Sequence, residues 1–354
     1  GETNNKITNK KRKSMKTSNR ITKSVLVGAA TLAAVALVPA LEGAVPTMNI
    51  ETVAISGANV NDTTGYGEVT YDYHIGKYEV TQEQWKDFLN EVAKTDSHGL
   101  YNTSMTNTDY SGITRTGSSG SYSYHVDSNY AKRPVVCVSL LSAKRFCNWL
   151  TTGDTELGLY DMGVVHDNDE RDTATWLANG GVVLPDENEW YKAAYYDPNK
   201  NGAGVGGYHT YSTTGSVLTN GGRSDTMDGT RANYDISYQI NVGGTCLLNP
   251  VDFYETYASA YGAVDMTGNV FEWTDSPYNT TNRVVRGASC SDYATLLAAD
   301  SSRAGYSPGY EYDFIGFRVA SLAPIPEPAE IGVIGGALVG LLCIVRRKRR
   351  AVAP

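Results

Sequence analysis

YGAVDMTGNVFEW, Tyr261 to Trp273, concentrates turn glycines, oxygen-bearing side chains and three aromatics in thirteen residues of the 354-residue chain. Asp265, Asn269 and Glu272 supply hard oxygen donors, and Gly262 and Gly268 permit the backbone angles that turn carbonyls inward toward a cation. Two interpretations are open for the stretch by itself. One is a calcium loop. The other is a tight turn whose polar side chains bond their own backbone, ahead of a core strand carrying Phe271 and Trp273.

Working outward, NPVDFY (Asn249 to Tyr254) leads into this stretch, and RVVRGAS (Arg283 to Ser289) and IGFRVA (Ile315 to Ala320) follow it as strands, separated by a loop containing Ser301 to Arg303. Upstream, Gly181 to Leu184 reads as a short apolar strand running into a helix. That helix is capped by Asp186 with Glu189 three residues on, packs through Trp190, Ala193 and Ala194, and stops at Asp197-Pro198. RPVVCVS (Arg133 to Ser139) reads as a buried strand and Ser142 to Leu150 as a helix ended by Gly153. Tyr71 to Val80 suggests two short strands. Thr81 and Gln84 form a capping box for an amphipathic helix, Gln82 to Ala93, with Trp85, Phe88, Leu89 and Val92 at helical spacing. Asp96 to Tyr130 and Asn201 to Asn249 lack a sustained period and read as long surface loops, either binding segments or variable insertions. Short elements joined by much irregular chain, with Tyr far commoner than Phe, predict an α+β fold.

The ends differ from this body. Eight basic residues and no acid between Lys6 and Lys23, then an apolar run from Val25 to Leu41, have the shape of a secretory signal over residues 1–44, with an uncleaved membrane anchor as the alternative. Met15 is a candidate start and Ala40 or Ala44 a candidate cleavage point. At the other end, the uncharged segment 331–345 precedes the basic run 346–350, the pattern of a short transmembrane helix whose basic stop stays inside. Residues 45–322 carry 17 Lys and Arg against 34 Asp and Glu, a net charge of −17 that disfavours nucleic acid and suits an extracellular setting. Export permits disulfides among Cys137, Cys147, Cys246 and Cys290; at most one bridge is expected, with Cys147 as core, and no Cys/His cluster has metal-ligand spacing.

GKYEVTQEQW, RPVVCVSLLSAKRFCNWL, LPDENEWYKAAYYDP, YGAVDMTGNVFEW, RVVRGAS and IGFRVA, in this order, closely resemble the formylglycine-generating enzymes, or sulfatase-modifying factors, over roughly Tyr73 to Ala320. The resemblance implies a C-type-lectin-like α+β fold with calcium sites. It places calcium on the side chain of Asp265, the carbonyls of Gly268 and Val270 and the carboxylate of Glu272. A second site would begin at Asn233 and the carbonyl of Tyr234, but its downstream acidic ligand falls near Gly243. The oxidase chemistry of that family resembles a copper centre on two thiolates spaced C-x4-C, because Cu(I) prefers sulfur. Here that register puts Asp292 and Leu297 at the two positions, with Cys290 two residues early, so copper is not expected. PIPEP (Pro324 to Pro328), the short helix and RRKRR look like a PEP-CTERM sorting tag, which implies handling by an exosortase.

Other chemistry is not encoded. There is no G-x-S-x-G, no H-E-x-x-H and no phosphate-cradling glycine loop, and the five histidines stand singly. Arg286, Arg303 and Arg318 are candidates to line a pocket or to pair with the abundant acids. The expected protein is an exported, non-catalytic domain with structural calcium that binds extracellular polysaccharide or protein. An oxidoreductase in which another cysteine meets Cys290 around copper is the alternative.

Overall fold

The computed structural model describes residues 46, 48–163, 170–213, 232–234 and 247–325. The expected signal, the transmembrane segment 331–345, Cys246, Gly243 and most of the PIPEP motif lie outside them.

The closing strand organises the fold. Read as one strand, IGFRVA is instead divided between two four-stranded sheets. Ile315–Gly316 (β11) runs parallel to Phe271–Pro277 (β8), which pairs with Arg283–Arg286 (β9) and through it with Arg303–Tyr306 (β10). Ala320–Ser321 (β12) joins the other sheet, antiparallel to both Tyr73–Gly76 (β2) and Val182–Val183 (β5), with Thr52–Ile55 (β1) at the edge beyond β2. Phe317, in the link, is fully buried and packs in a cluster with Trp85, Phe88 and Phe146, whose paired ring centroids are 5.0–5.9 Å apart. Those rings come from the inner faces of two helices, Gln82–Val92 (α1) and Leu140–Thr152 (α2).

Local chemistry sets the helix ends as the sequence predicts. Thr81 Oγ1 accepts from Gln84 N and the Gln84 side chain accepts from Thr81 N, closing a capping box on α1. Gly153, at φ +81°, closes α2 in the left-handed conformation as expected, whereas its start differs from the expectation: Ser139, read as the end of a strand, caps it. Asp186 and Glu189 form a second capping box on Glu187–Tyr195 (α4). Thr173–Asn179 (α3) was not read from the sequence; its start rests on Asp172, which accepts from Ala174 N and Thr175 N.

Three expectations change. Arg133 to Ser139 is buried but not a strand: Pro134 lacks a donor and Cys137 adopts φ +60°, so the segment makes separate bonds such as Val135 N to Val80 O and Cys137 N to Tyr312 O. Tyr78 to Val80 likewise forms no strand, although Val80 N reaches Phe317 O. The expected loop 96–130 contains a hairpin, Ile113–Thr116 (β3) with Ser123–Val126 (β4).

Candidate functional site

Four residues of the YGAVDMTGNVFEW stretch with positive φ, Gly262, Asp265, Gly268 and Asn269 at +94°, +55°, +83° and +62°, bend it into a knot. Its polar atoms are met from several parts of the chain: Gly268 N donates to Gly287 O, Asn269 N to Asn233 O, and Cys290 N to Asn269 O, at 2.8–3.0 Å. The Asn269 amide oxygen accepts from Asn249 N and from Asn233 Nδ2, and its Nδ2 donates to Glu79 Oε1 at 3.1 Å. A Cβ on Gly268 would collide with the Asn233 carbonyl oxygen. Gly268→Ala is therefore expected to cost at least about 2 kcal/mol, combining the left-handed penalty with the overpacking. Urea unfolding checks this, and a loss below about 0.5 kcal/mol would show that the knot yields at Asn233.

The structure brings Asp265 and Glu272 into one buried cluster but gives them different work. Glu272, on β8, lies between Arg318 and Trp190. Arg318 Nε and Nη2 each donate to it at 2.6 Å, and Trp190 Nε1 donates at 2.8 Å. Its two oxygens thus receive three donors. Arg318 also donates to the carbonyls of Gly76, Lys77 and Val264, tying both sheets and the loop through one guanidinium. Val270, the residue before β8, is fully buried. Asn233 and Tyr234 are buried against the knot, where Asn233 also donates to Leu247 O.

Glu79, which sequence reasoning did not single out, completes the cluster. Its Oε2 and Asp265 Oδ2 are buried and have no hydrogen-bond partner among the described residues. Burial, then the charge of Glu79, holds the Asp265 carboxyl well above the ordinary carboxylate range; burial does the same to Glu79, with Arg318 opposing. Three buried carboxylates therefore face one buried cation, Arg318. Two orphaned carboxylate oxygens in an acid-excess interior fit a hard dication such as calcium. Among the described residues no three His, Cys, Asp or Glu side chains converge as ligands, so carbonyl, amide or water oxygens would have to complete the set. The signal available in the sequence was the glutamate of GKYEVT, an acid in an apolar segment far from the loop it serves.

Asp292 Oδ2 accepts from Ser289 N and Oγ, capping a turn, and Leu297 is core. Cys290 is fully buried and disulfide-bonded, and Cys137 and Cys147 are free. Burial pushes Cys137 up to about 12 and Cys147 well above the usual thiol value, opposite to the shift that activates a nucleophile. The arginines pair with acids: Arg286 and Arg303 share Glu187, and Arg318 holds Glu272.

A model of the sulfatase-modifying factor enzyme 1-like domain matches residues 45–323. Hercynine oxygenase of Mycobacterium tuberculosis is 28% identical over 212 residues, 58% of this chain and 38% of its own length. The mouse protein named inactive C-alpha-formylglycine-generating enzyme 2 is 39% identical over 87 residues, 23% of this chain and 28% of its own. The chain thus spans well under half the length of these relatives. Among solved structures, Treponema denticola variable protein 1 is 23% identical with a TM-score of 0.48, covering 79% of this chain and 98% of that one. CarF is 18% identical with a TM-score of 0.49, covering 78% and 99%.

Proposed function

Given that the chain belongs to the sulfatase-modifying factor enzyme 1-like domain family, we propose that it is a non-catalytic member: an exported domain, displayed at the cell surface or in the extracellular matrix, that binds polysaccharide or protein through its loops. Its tail is handled by an exosortase-type machinery, and calcium braces its core. The observation that carries the loss of oxidase chemistry is the state of the two positions matching the family's thiolates. One is the turn cap Asp292 and the other the core residue Leu297, while neighbouring Cys290 is already oxidised in a disulfide. A two-sulfur copper site needs reduced thiolates side by side. The acid excess of residues 45–322, −17 from 17 basic and 34 acidic residues, supports an extracellular setting. Calcium on Glu79 and Asp265, with Asn233, Gly268 and Val270 nearby as oxygen sources, would supply the positive charge that Arg318 alone does not.

The test uses the full exported domain with its disulfide intact. Incubated with Cu(I), oxygen and a reduced cysteine peptide, it is expected to consume no oxygen, and on immobilised matrix polysaccharides and matrix proteins it is expected to be retained. Turnover of the peptide would restore the oxidase reading. Retention on no polymer or protein would remove the binding reading.

A further inference from the structure

We propose that the aromatic lobe after β10 is a saccharide platform for an amino-sugar polymer carrying free amines, a site that rests on the polymer-binding reading above. Past Arg303–Tyr306 the chain turns, with Tyr310 N bonded to Ser307 O, and returns through Tyr310, Tyr312 and Phe314. A second turn follows at Asp313 and Phe314, with Ile315 N bonded to Tyr312 O. The three rings form a continuous row: Tyr310 to Tyr312 at 5.4 Å, then Tyr312 to Phe314 at 5.0 Å with planes only 19° apart. Tyr306 closes against both, 5.2 Å from Tyr312 and 5.9 Å from Phe314. The row is graded from inside to outside. Phe271 lies buried behind Tyr306 and Phe314, Tyr312 and Phe314 are half-buried, and Tyr310 is 54% exposed.

This surface is held in place before any ligand arrives. Leu140 N donates to Pro308 O, Cys137 N to Tyr312 O and Phe271 N to Phe314 O, at 2.9–3.0 Å, so the lobe is pinned to the α2 entrance and to β8. Rings ordered in advance lose little freedom when they bind, which favours a ligand that stacks. A pyranose offers a flat C–H face to a ring and hydroxyls at its edge. Here the edge carries Asn102, whose amide donates to Glu311 Oε2 at 2.5 Å, and the exposed Asp313.

Charge selects among sugars. Glu311 and Asp313 border the row, and Asp292 acts electrostatically on Tyr306. The cations adjoining the lobe are engaged elsewhere. Arg303 pairs with Glu187 and stacks on Tyr66 and Tyr278, and Arg318 is buried on Glu272. An acidic rim repels uronate polymers and attracts ammonium groups, which also gain from standing over a tyrosine face. The complement is a polymer with protonated amines on pyranose rings.

Calorimetric titration of the calcium-loaded domain tests this with three probes: β-1,4-linked glucosamine oligosaccharides, their N-acetylated counterparts and oligogalacturonate. The expected result is binding of the glucosamine series, weakened by salt. Tyr310→Ala should weaken it roughly tenfold, Tyr310→Phe should retain it, and the control Tyr293→Ala, at another exposed tyrosine, should leave it unchanged. Melting temperatures confirm that the variants are folded. Glucosamine binding unaffected by Tyr310→Ala and Tyr312→Ala would overturn the site while leaving the polymer reading. Binding confined to the acetylated or acidic probe would overturn the amine. Retention on no matrix polysaccharide at all would overturn the platform together with any polysaccharide reading.

Discussion

Arg318→Met is expected to cost about 3–5 kcal/mol, a large part of the 5–15 kcal/mol that holds a typical domain together. The methionine keeps an unbranched apolar stem and removes the guanidinium with its five donors. Glu272, with no exposed surface, is then left with Trp190 Nε1 as its named donor, and the carbonyls of Gly76, Lys77 and Val264 each lose a bond. The two remaining carboxylates of the cluster, Glu79 and Asp265, also lose their nearest compensating charge. Adding Glu272→Leu should recover part of the loss, because a buried ion pair replaced at both ends is far cheaper than one broken at one end. Urea denaturation of the two variants measures both effects. A single-variant cost under about 1 kcal/mol with an unchanged slope would show that Arg318 does not hold the sheets together.

Arg318 also marks the limit of what the sequence discloses. Most helix ends were legible because capping is written in neighbouring residues: Thr81 with Gln84, Asp186 with Glu189 and Gly153 behind α2, whereas the cap Ser139 was hidden at the end of an apolar run. The division of IGFRVA between two sheets was not. A run of six residues carries no local mark saying that Ile315 pairs with Phe271 while Ala320 pairs with Ile75 and Val183. Apolar content made Arg133 to Ser139 look like a strand, whereas Pro134 and the left-handed Cys137 prevent a ladder. Within the site, Asp265 and Glu272 were identified by proximity in sequence, but proximity does not assign partners. Glu272 answers to Arg318 and Trp190, and the acid that acts most strongly on Asp265 is Glu79, brought there only by the tertiary fold.

That pairing of Glu79 with Asp265 makes calcium and pH a joint test. Both carboxyls have folded pKa values raised by burial, that of Glu79 to about 8. A raised acid pKa means that the metal-free folded protein holds protons which the unfolded chain has already released. The associated stability is present below the unfolded value near 4 and is lost as pH rises through the folded value. Without calcium, the domain is therefore expected to melt at a lower temperature at pH 9 than at pH 5.5. Calcium replaces those protons, so its stabilisation should be larger at pH 9, reaching about 2.7 kcal/mol when its concentration is 100 times the dissociation constant. At pH 5.5 it must first displace them, and the shift should shrink. Asp265→Asn removes one charge of the pair and should abolish the calcium-dependent shift while flattening the alkaline loss. Melting curves in chelator and in calcium at the two pH values read all of this. An identical melting temperature with and without calcium at pH 9 would mean that the two orphaned oxygens are satisfied by protons alone, and the knot would then be a turn that needs no ion.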